Sequence, residues 1–344
     1  MSPAGVFGGK RVHAATRVVR DTRPEANLVR HTADARDALA NSLGAGAFAL
    51  NRKLAVAMGG KVLGAGQYGV AIRTKITARL LLLLKDMLRG YHRVQTTVWP
   101  REGDVVVLKV QDARARGLFQ SKAQYAKVLA EFVEESTHES VIHRFLSSAD
   151  ACRGLVVSRS RACPAVPRFY FAAFSTKSPR YVTVMGVAPG EPLDKYLSRH
   201  VMDAGLYARV EKAVASLWLA GVVHGDLHAY NVMYDRGTGV VTVIDFGWGI
   251  LLRESLRRAV AEAVAAQLSR DTGTCLSEAW DSVGMSAYVD RVVASRRYPM
   301  YNSDARFLSH MYNGMSAGQR ARVRAERRRE WDLVDRPDDN KIAA

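Results

Sequence analysis

The chain has 344 residues, 50 of them Lys or Arg and 33 Asp or Glu, for a formal charge of +17. Its 48% hydrophobic and 24% charged residues are those of a globular protein, which excludes a collagen-like fibre, a coiled coil and a mostly disordered chain. Only three cysteines occur, Cys152, Cys163 and Cys275, with no C-x-x-C pair, which excludes a disulfide scaffold and a zinc knuckle.

Mostly unpaired thiols suit a reducing compartment, so intracellular residence, cytoplasmic or nuclear, is expected. The longest leucine block, Leu80 to Leu84, is flanked by Arg79 and Lys85 and is far short of the ~20 apolar residues of a membrane span. The first residues contain no apolar h-region, so no secretory signal is expected. The charge is uneven. Residues 51–128 carry 15 basic and 4 acidic residues, whereas residues 129–315 carry 20 and 19. Such a block suits nucleotide, nucleic acid, anionic lipid or an acidic protein, or is simply a solvated face that aids solubility.

Residues 1–50 read as an extension with one helix around 33–43. From Lys61, KVLGAGQYGVAIRTKI alternates apolar and polar residues around three glycines, as in two strands joined by a tight turn. TARLLLLLKDMLRGYHRV reads as a helix. EGDVVVLKVQD reads as a strand. KAQYAKVLAEFVEESTHESVIHRFLSS has helical spacing, with Phe132, Ile142, Phe145 and Leu146 expected in the core. PRFYFAAFS and RYVTVMGV are further strands. After Pro189 and Gly190 the texture turns helical, through LDKYLSRH and AGLYARVEKAVASLWLAG. Residues 222–250 interrupt it, and helix resumes at ESLRRAVAEAVAAQLSR. Strands first and helices later predict an α+β protein of two lobes.

Four elements carry the chemistry. Gly64-Ala65-Gly66-Gln67-Tyr68-Gly69 lets a backbone turn approach phosphates closely. It lies between two strands, not between a strand and a helix, which argues against a dinucleotide fingerprint. Lys109 sits inside the apolar strand Val105–Val110, where an ammonium needs an acid or a phosphate nearby. Next come His224-Gly225-Asp226-Leu227-His228-Ala229-Tyr230-Asn231 and Val243-Ile244-Asp245-Phe246-Gly247. Asp226 can accept a hydroxyl proton. Asn231 and Asp245 offer the hard oxygens that Mg²⁺ takes beside phosphates.

A glycine loop, a strand lysine, a helix glutamate, H-G-D-L-H-x-x-N and I-D-F-G, in this order, resemble the protein-kinase-like superfamily over about residues 61–250. The resemblance implies a small antiparallel-sheet lobe with one helix and a larger, mainly helical lobe. Their bounds would be 51–185, with a basic insertion at about 77–103, and 186–315, leaving a charged tail at 316–344. It implies ATP and Mg²⁺ as cofactors. Gly64 to Gly69 and Val70 would cover the phosphates, and Lys109 would bind them and pair with Glu139, with Glu135 as the alternative. Asp226 would be the catalytic base, and Asn231 and Asp245 the metal ligands. Met185 falls near the gatekeeper, Gly186 to Gly190, including Val187, near the hinge, and Val107 and Met233 beside the adenine.

The chain departs from the family in places. H-G-D-L-H replaces H-R-D-L-K, so Gly225 cannot bind a phosphorylated loop, and His228 replaces a phosphate-contacting lysine. Ala71 stands where the glycine loop usually continues with valine, with Val70 beside it. No A-P-E motif follows Gly247, a reduction that resembles atypical and some viral kinases. H-G-D-L-H also resembles aminoglycoside- and choline-type phosphotransferases. The leading expectation is a protein kinase acting on Ser/Thr of protein substrates. The alternatives are a small-molecule phosphotransferase and a kinase-fold scaffold that binds nucleic acid. For the basic first lobe, an acidic or nucleic-acid partner is expected. The arginine run Gln319–Arg329 reads either as a solvated helix or as a nucleic-acid or nuclear-address segment. Tyr91, His92 and Trp99 read either as packing residues or as base-stacking ones.

Overall fold

The computed structural model describes residues 55, 59–66, 69–87, 93–95, 98–113, 121–152, 163–175, 180–270, 274–294 and 304–331. The helix expected around 33–43, the turn residues Gln67 and Tyr68, and Tyr91 and His92 lie outside the described residues. The protein is α+β and divides into two compact units, residues 1–144 with 168–187, and residues 145–167 with 188–344.

The first unit is built on a six-stranded antiparallel sheet. Its strands are β1 (Lys61–Gly66), β2 (Gly69–Lys75), β3 (Arg93–Gln95), β4 (Val105–Asp112), β5 (Phe169–Ser175) and β6 (Arg180–Gly186), in the order β1-β2-β4-β6-β5-β3. Period-2 alternation splits the side chains between two faces. Val70, Ile72, Val106, Leu108, Val110, Val182 and Val184 form one buried face. Helix α1 (Ala78–Met87) covers it with Leu80 and Leu84, one turn apart. The apolar residues of the insertion thus act as core. Trp99 packs on Phe171 with ring centroids 5.1 Å apart, which makes it a packing residue rather than a free stacking platform.

Against the other face lies helix α2 (Lys122–Leu146), which sends Phe132 and Val141 into a cluster with Phe169, Ala172, Phe174 and Tyr181. Phe132, Ile142 and Leu146 are buried as expected, but Phe145 is only half-buried. The helix expected through Val94 ends at Met87, and Arg93–Gln95 pairs instead with β5, Val94 opposite Ala172. The open edge of β5 satisfies the backbone there and overrides local helical spacing. Gly69 is required where β2 meets β4, because a Cβ on it would lie 2.3 Å from the Val110 carbonyl oxygen.

In the second unit the helices are α3 (Leu193–Leu197), α4 (Ala204–Leu219), α5 (Glu254–Arg270), α6 (Ser277–Ser282), α7 (Met285–Ala294), α8 (Asp304–Asn313) and α9 (Ala317–Trp331). Short strands complete it. β7 (Glu191–Pro192), β9 (Val232–Asp235) and β10 (Val240–Val243) form one sheet, and β8 (Val222–Val223) pairs with β11 (Ile250–Leu251). The Asp203 side chain caps α4 by accepting from Leu206 N at 2.8 Å, and most of that helix is buried.

The arginine run is not a uniformly solvated helix. Arg327 on α9 is fully buried and makes a bidentate pair with Glu211 of α4, both bonds at 2.8 Å. Val323 and Trp331 are buried beside it in sequence, so α9 is part of the unit's core. The cysteine reading also changes, since Cys163 is disulfide-bonded while Cys275 is a buried free thiol. No described helix is long and apolar enough to cross a membrane.

Candidate active site

In the first unit Lys109 lies mid-strand on β4, opposite Ala71 of β2 and Thr183 of β6. Its Nζ donates to Glu139 Oε1 on α2 at 2.7 Å. Glu139 is buried, whereas Glu135, one turn earlier, is exposed. Val107 is opposite Met185, two residues from Lys109 along β4, so both share its face of the sheet. Val187 follows β6 and is half-buried.

Val70 requires a correction. It pairs with Val110 and is buried in the core on the face away from Lys109. Alternation along β2 presents Ala71 beside Lys109 instead. Gly64 and Gly66 close the hairpin opposite Ala71 and Gly69, and Ala65 pairs with Val70.

In the second unit the loop 224–231 follows β8 and ends in a short 3-10 turn, Ala229–Asn231. Asn231 Nδ2 donates to the Asp226 carbonyl at 3.0 Å and lies 3.3 Å from His228 Nε2. His228 Nε2 lies 3.7 Å from Asp226 Oδ2. The loop is stitched to the segment at 244–246 by two bonds, Ile244 N to the Asn231 carbonyl at 2.9 Å and His224 Nε2 with the Ile244 carbonyl at 2.8 Å. His224 also lies against Phe246, with ring centroids 5.2 Å apart. Asp226, His228, Asn231 and Asp245 are thereby brought to one place. Met233 follows on β9, half-buried and opposite Thr242 and Pro192.

Two backbone features fix this place. Asp245 has φ +66, a left-handed conformation that costs a non-glycine residue on the order of 1–3 kcal/mol and is found where structure over-determines it. Gly225 has φ +79, and a Cβ on it would lie 2.5 Å from the Trp248 carbonyl oxygen. Gly225 is therefore required by the backbone, besides lacking an arginine's charge.

The sequence reading missed Asp304, the first residue of α8. Fully buried, its carboxylate accepts from Trp218 Nε1 at 3.0 Å, from His224 N at 2.9 Å and from Gly225 N at 3.1 Å. Burial pushes this carboxyl above its ordinary 3.8, and the charge of His224 and the three donors pull it back. Nothing in the local sequence marks it. Only the buried Trp218 indole, needing an acceptor, hints at it.

Asn231 spends its amide nitrogen on Asp226 and His228, which leaves Oδ1 as the atom to offer a cation. Among the described residues no cluster of three or more His, Cys, Asp or Glu is arranged to hold a metal unaided. An amide oxygen and a carboxylate are the hard donors that Mg²⁺ takes when phosphate and water complete its shell.

A model of a phosphotransferase enzyme family, APH, matches residues 164–248, which hold the loop 224–231 and Asp245. No curated protein matches the chain. Residues 164–248, about a quarter of the chain, are thus similar to a phosphotransferase family of the protein-kinase-like superfamily, and the lysine–glutamate pair between β4 and α2 is in keeping with that likeness.

Proposed function

We propose that the chain transfers the γ-phosphate of ATP, with Mg²⁺, to Ser or Thr hydroxyls of protein substrates. The observation that carries the reading is the stitching of Asp226, Asn231 and Asp245 by the Asn231 bonds to the Asp226 carbonyl and Ile244 N. In this reading the Asp226 carboxylate orients the acceptor hydroxyl and takes its proton. The acceptor oxygen forms its bond to the γ-phosphorus as the bond to the bridging oxygen breaks, and ADP leaves. Lys109, paired with Glu139, would bind the phosphates, and the β1 and β2 backbone at Gly64, Gly66 and Gly69 would approach them. Asn231 and Asp245 would hold Mg²⁺, which supplies positive charge around the phosphate oxygens. His228 stands 3.7 Å from Asp226 and would donate to the transferred group. On the first unit, Ala71, Val107, Met185 and Val187 would line the nucleotide. The nucleotide-binding part would span 51–185 and the catalytic part 186–315.

A second reading, a small-molecule phosphotransferase, is favoured by the family match and by one feature of the chain. β11 ends at Leu251 and α5 starts at Glu254, which leaves no long segment there for docking a peptide.

Labelled ATP with Mg²⁺ separates the two. Wild type and Asp226→Asn are compared on a mixed protein extract and on aminoglycosides, choline and sugars. Label on proteins that vanishes in the variant is the expected result. Turnover of a small alcohol with no protein labelling would sink the first reading in favour of the second.

A further inference from the structure

We propose that the corner of the first unit where β2 runs into α1 is a binding surface for the phosphate backbone of a nucleic acid. Five exposed cations line it: Lys61, Arg73, Lys75, Arg79 and Arg101. Their placement follows from the backbone. Lys61 is the cross-strand partner of Arg73, and Lys75 stands two residues beyond Arg73 on the same face of β2. Ile76 N then donates to the Asp104 carbonyl and Gly103 N to the Ile76 carbonyl, at 2.7 and 2.8 Å, which brings the 101–104 loop against the start of α1. Ala78 N donates to Glu102 Oε1 at 3.3 Å, so Arg79 and Arg101 flank the same junction.

None of the five cations is ion-paired among the described residues. Glu102 and Asp104 are nearby, and each already accepts a backbone N–H, from Ala78 and from Arg101. Counting those two carboxylates, the corner keeps a net charge of +3. The cations also form a line rather than a field. Successive positions are roughly 5 Å apart across strands and roughly 7 Å apart along a strand. A linear polyanion matches a line of charge. A protein partner would need an apolar centre to its interface, whereas the exposed large apolar residues on these strands are two, Leu63 on β1 and Val105 opposite Lys75. The surface adjoins the proposed nucleotide residues on one sheet face, Arg73 lying opposite Val107, but its binding needs neither Asp226 nor a nucleotide, so its test is read independently of phosphotransfer.

The test is fluorescence anisotropy of the full chain with a labelled duplex and with a labelled single strand, at about 50 and about 200 mM salt. Three to five neutralised phosphates predict a log–log salt slope of about −3 to −4.5 on duplex, a loss of roughly 40-fold or more over that range. Arg73→Gln alone should make the slope shallower by about 0.9, and Arg73→Glu with Lys75→Glu and Arg79→Glu should remove most of it. Arg291→Glu with Arg322→Glu, exposed in the second unit, should leave the slope within about 0.5 of wild type. The single Arg73→Gln and Lys75→Gln variants carry the test if the triple variant does not fold. Absence of binding at low salt, or an unchanged slope in the Arg73 and Lys75 variants, overturns the proposal. Binding to polyglutamate or to phosphatidylserine vesicles without binding to either nucleic acid also overturns it.

Discussion

Asp304 Oδ2 accepts from the backbone nitrogen of His224 at 2.9 Å and Oδ1 from that of Gly225 at 3.1 Å, so a carboxylate 80 residues downstream holds the start of the loop that carries Asp226. A carboxylate, with two acceptor oxygens, can bridge adjacent N–H groups and still serve the Trp218 indole. It acts on the chemistry only through the loop it holds.

Asp304→Ala should therefore cost both stability and turnover. Three buried donors lose their acceptor, at about 1–3 kcal/mol for each one left unsatisfied. A loop displaced by about 1 Å loses on the order of 100-fold in rate. Asp304→Asn keeps an acceptor and should be milder in both. It also changes the pH dependence. Because burial raises the Asp304 carboxyl above 3.8, the folded chain holds that proton more tightly than the unfolded one. Stability is then lost as pH climbs from the ordinary carboxyl range to the raised value, and the Asn variant should lack this component. Thermal unfolding from pH 4 to 7, beside kcat, checks each point. An Asn variant with the wild-type slope would contradict the assignment.

The Lys109–Glu139 pair gives a cleaner separation of stability from activity. Lys109→Met leaves Glu139 buried without its ammonium and should destabilise by about 1–3 kcal/mol, less than a fully buried pair because Lys109 keeps 20% side-chain exposure. Combining it with Glu139→Leu should restore much of that stability. Phosphate transfer should stay at least about 100-fold down in both, since the ammonium proposed to bind the phosphates is gone. Urea unfolding and single-turnover transfer read the two effects. A double variant that regains activity would remove Lys109 from its role.

Gly225 shows why a missing charge can mislead. From the sequence, Gly225 in place of the family's arginine cannot bind a phosphorylated loop. The structure adds that φ +79 and the Trp248 carbonyl exclude any side chain. Gly225→Ala should cost about 1–2 kcal/mol for the left-handed backbone alone, plus the contact with Trp248. Gly225→Arg should be worse and should gain no phosphatase-sensitive activity. Melting temperature and transfer assays check both, and a Gly225→Ala variant as stable as wild type would refute the packing argument.

Leu84 tests the insertion. It is fully buried against the sheet face that holds Ile72, Leu108 and Val184. Leu84→Ala should cost about 2–5 kcal/mol, whereas Leu82→Ala, at an exposed position of the same helix, should cost less than about 0.5 kcal/mol. Equal melting temperatures for the two variants would show that α1 is not part of the core.

The elements most legible in the sequence were those whose signals are local. The β1–β2 hairpin, the β4 strand around Lys109 and α4 follow from period-2 and period-3.6 patterning. The loop 224–231 and the segment at 244–247 stand out because polar residues are fixed between short apolar strands. Long-range pairing was less legible. Which face Val70 takes depends on register with β4, and Val94 becomes a strand only because β5 offers an edge. Asp304 is one acid among 33 until the fold brings it to His224.

Arg327 is the extreme case, since composition alone cannot distinguish it from the exposed arginines around it. Its guanidinium meets both Glu211 oxygens and the Thr274 carbonyl, while Glu211 also accepts from Tyr207 OH and Leu276 N. Arg327→Ala strands the Glu211 charge in the interior and should cost about 3–5 kcal/mol in urea unfolding. Arg327→Met with Glu211→Gln should recover most of that loss. The charge is gone, and the Gln oxygen still serves Leu276 N and the Tyr207 hydroxyl. The neighbouring Cys275 provides a second readout. Burial, then the Glu211 carboxylate, pushes its thiol up, so iodoacetamide should label it slowly in the native wild type. Arg327→Ala should speed that labelling by opening the cluster, and the double variant should return it towards wild type. Fast labelling of native wild type would mean that α9 does not close over this cluster in solution.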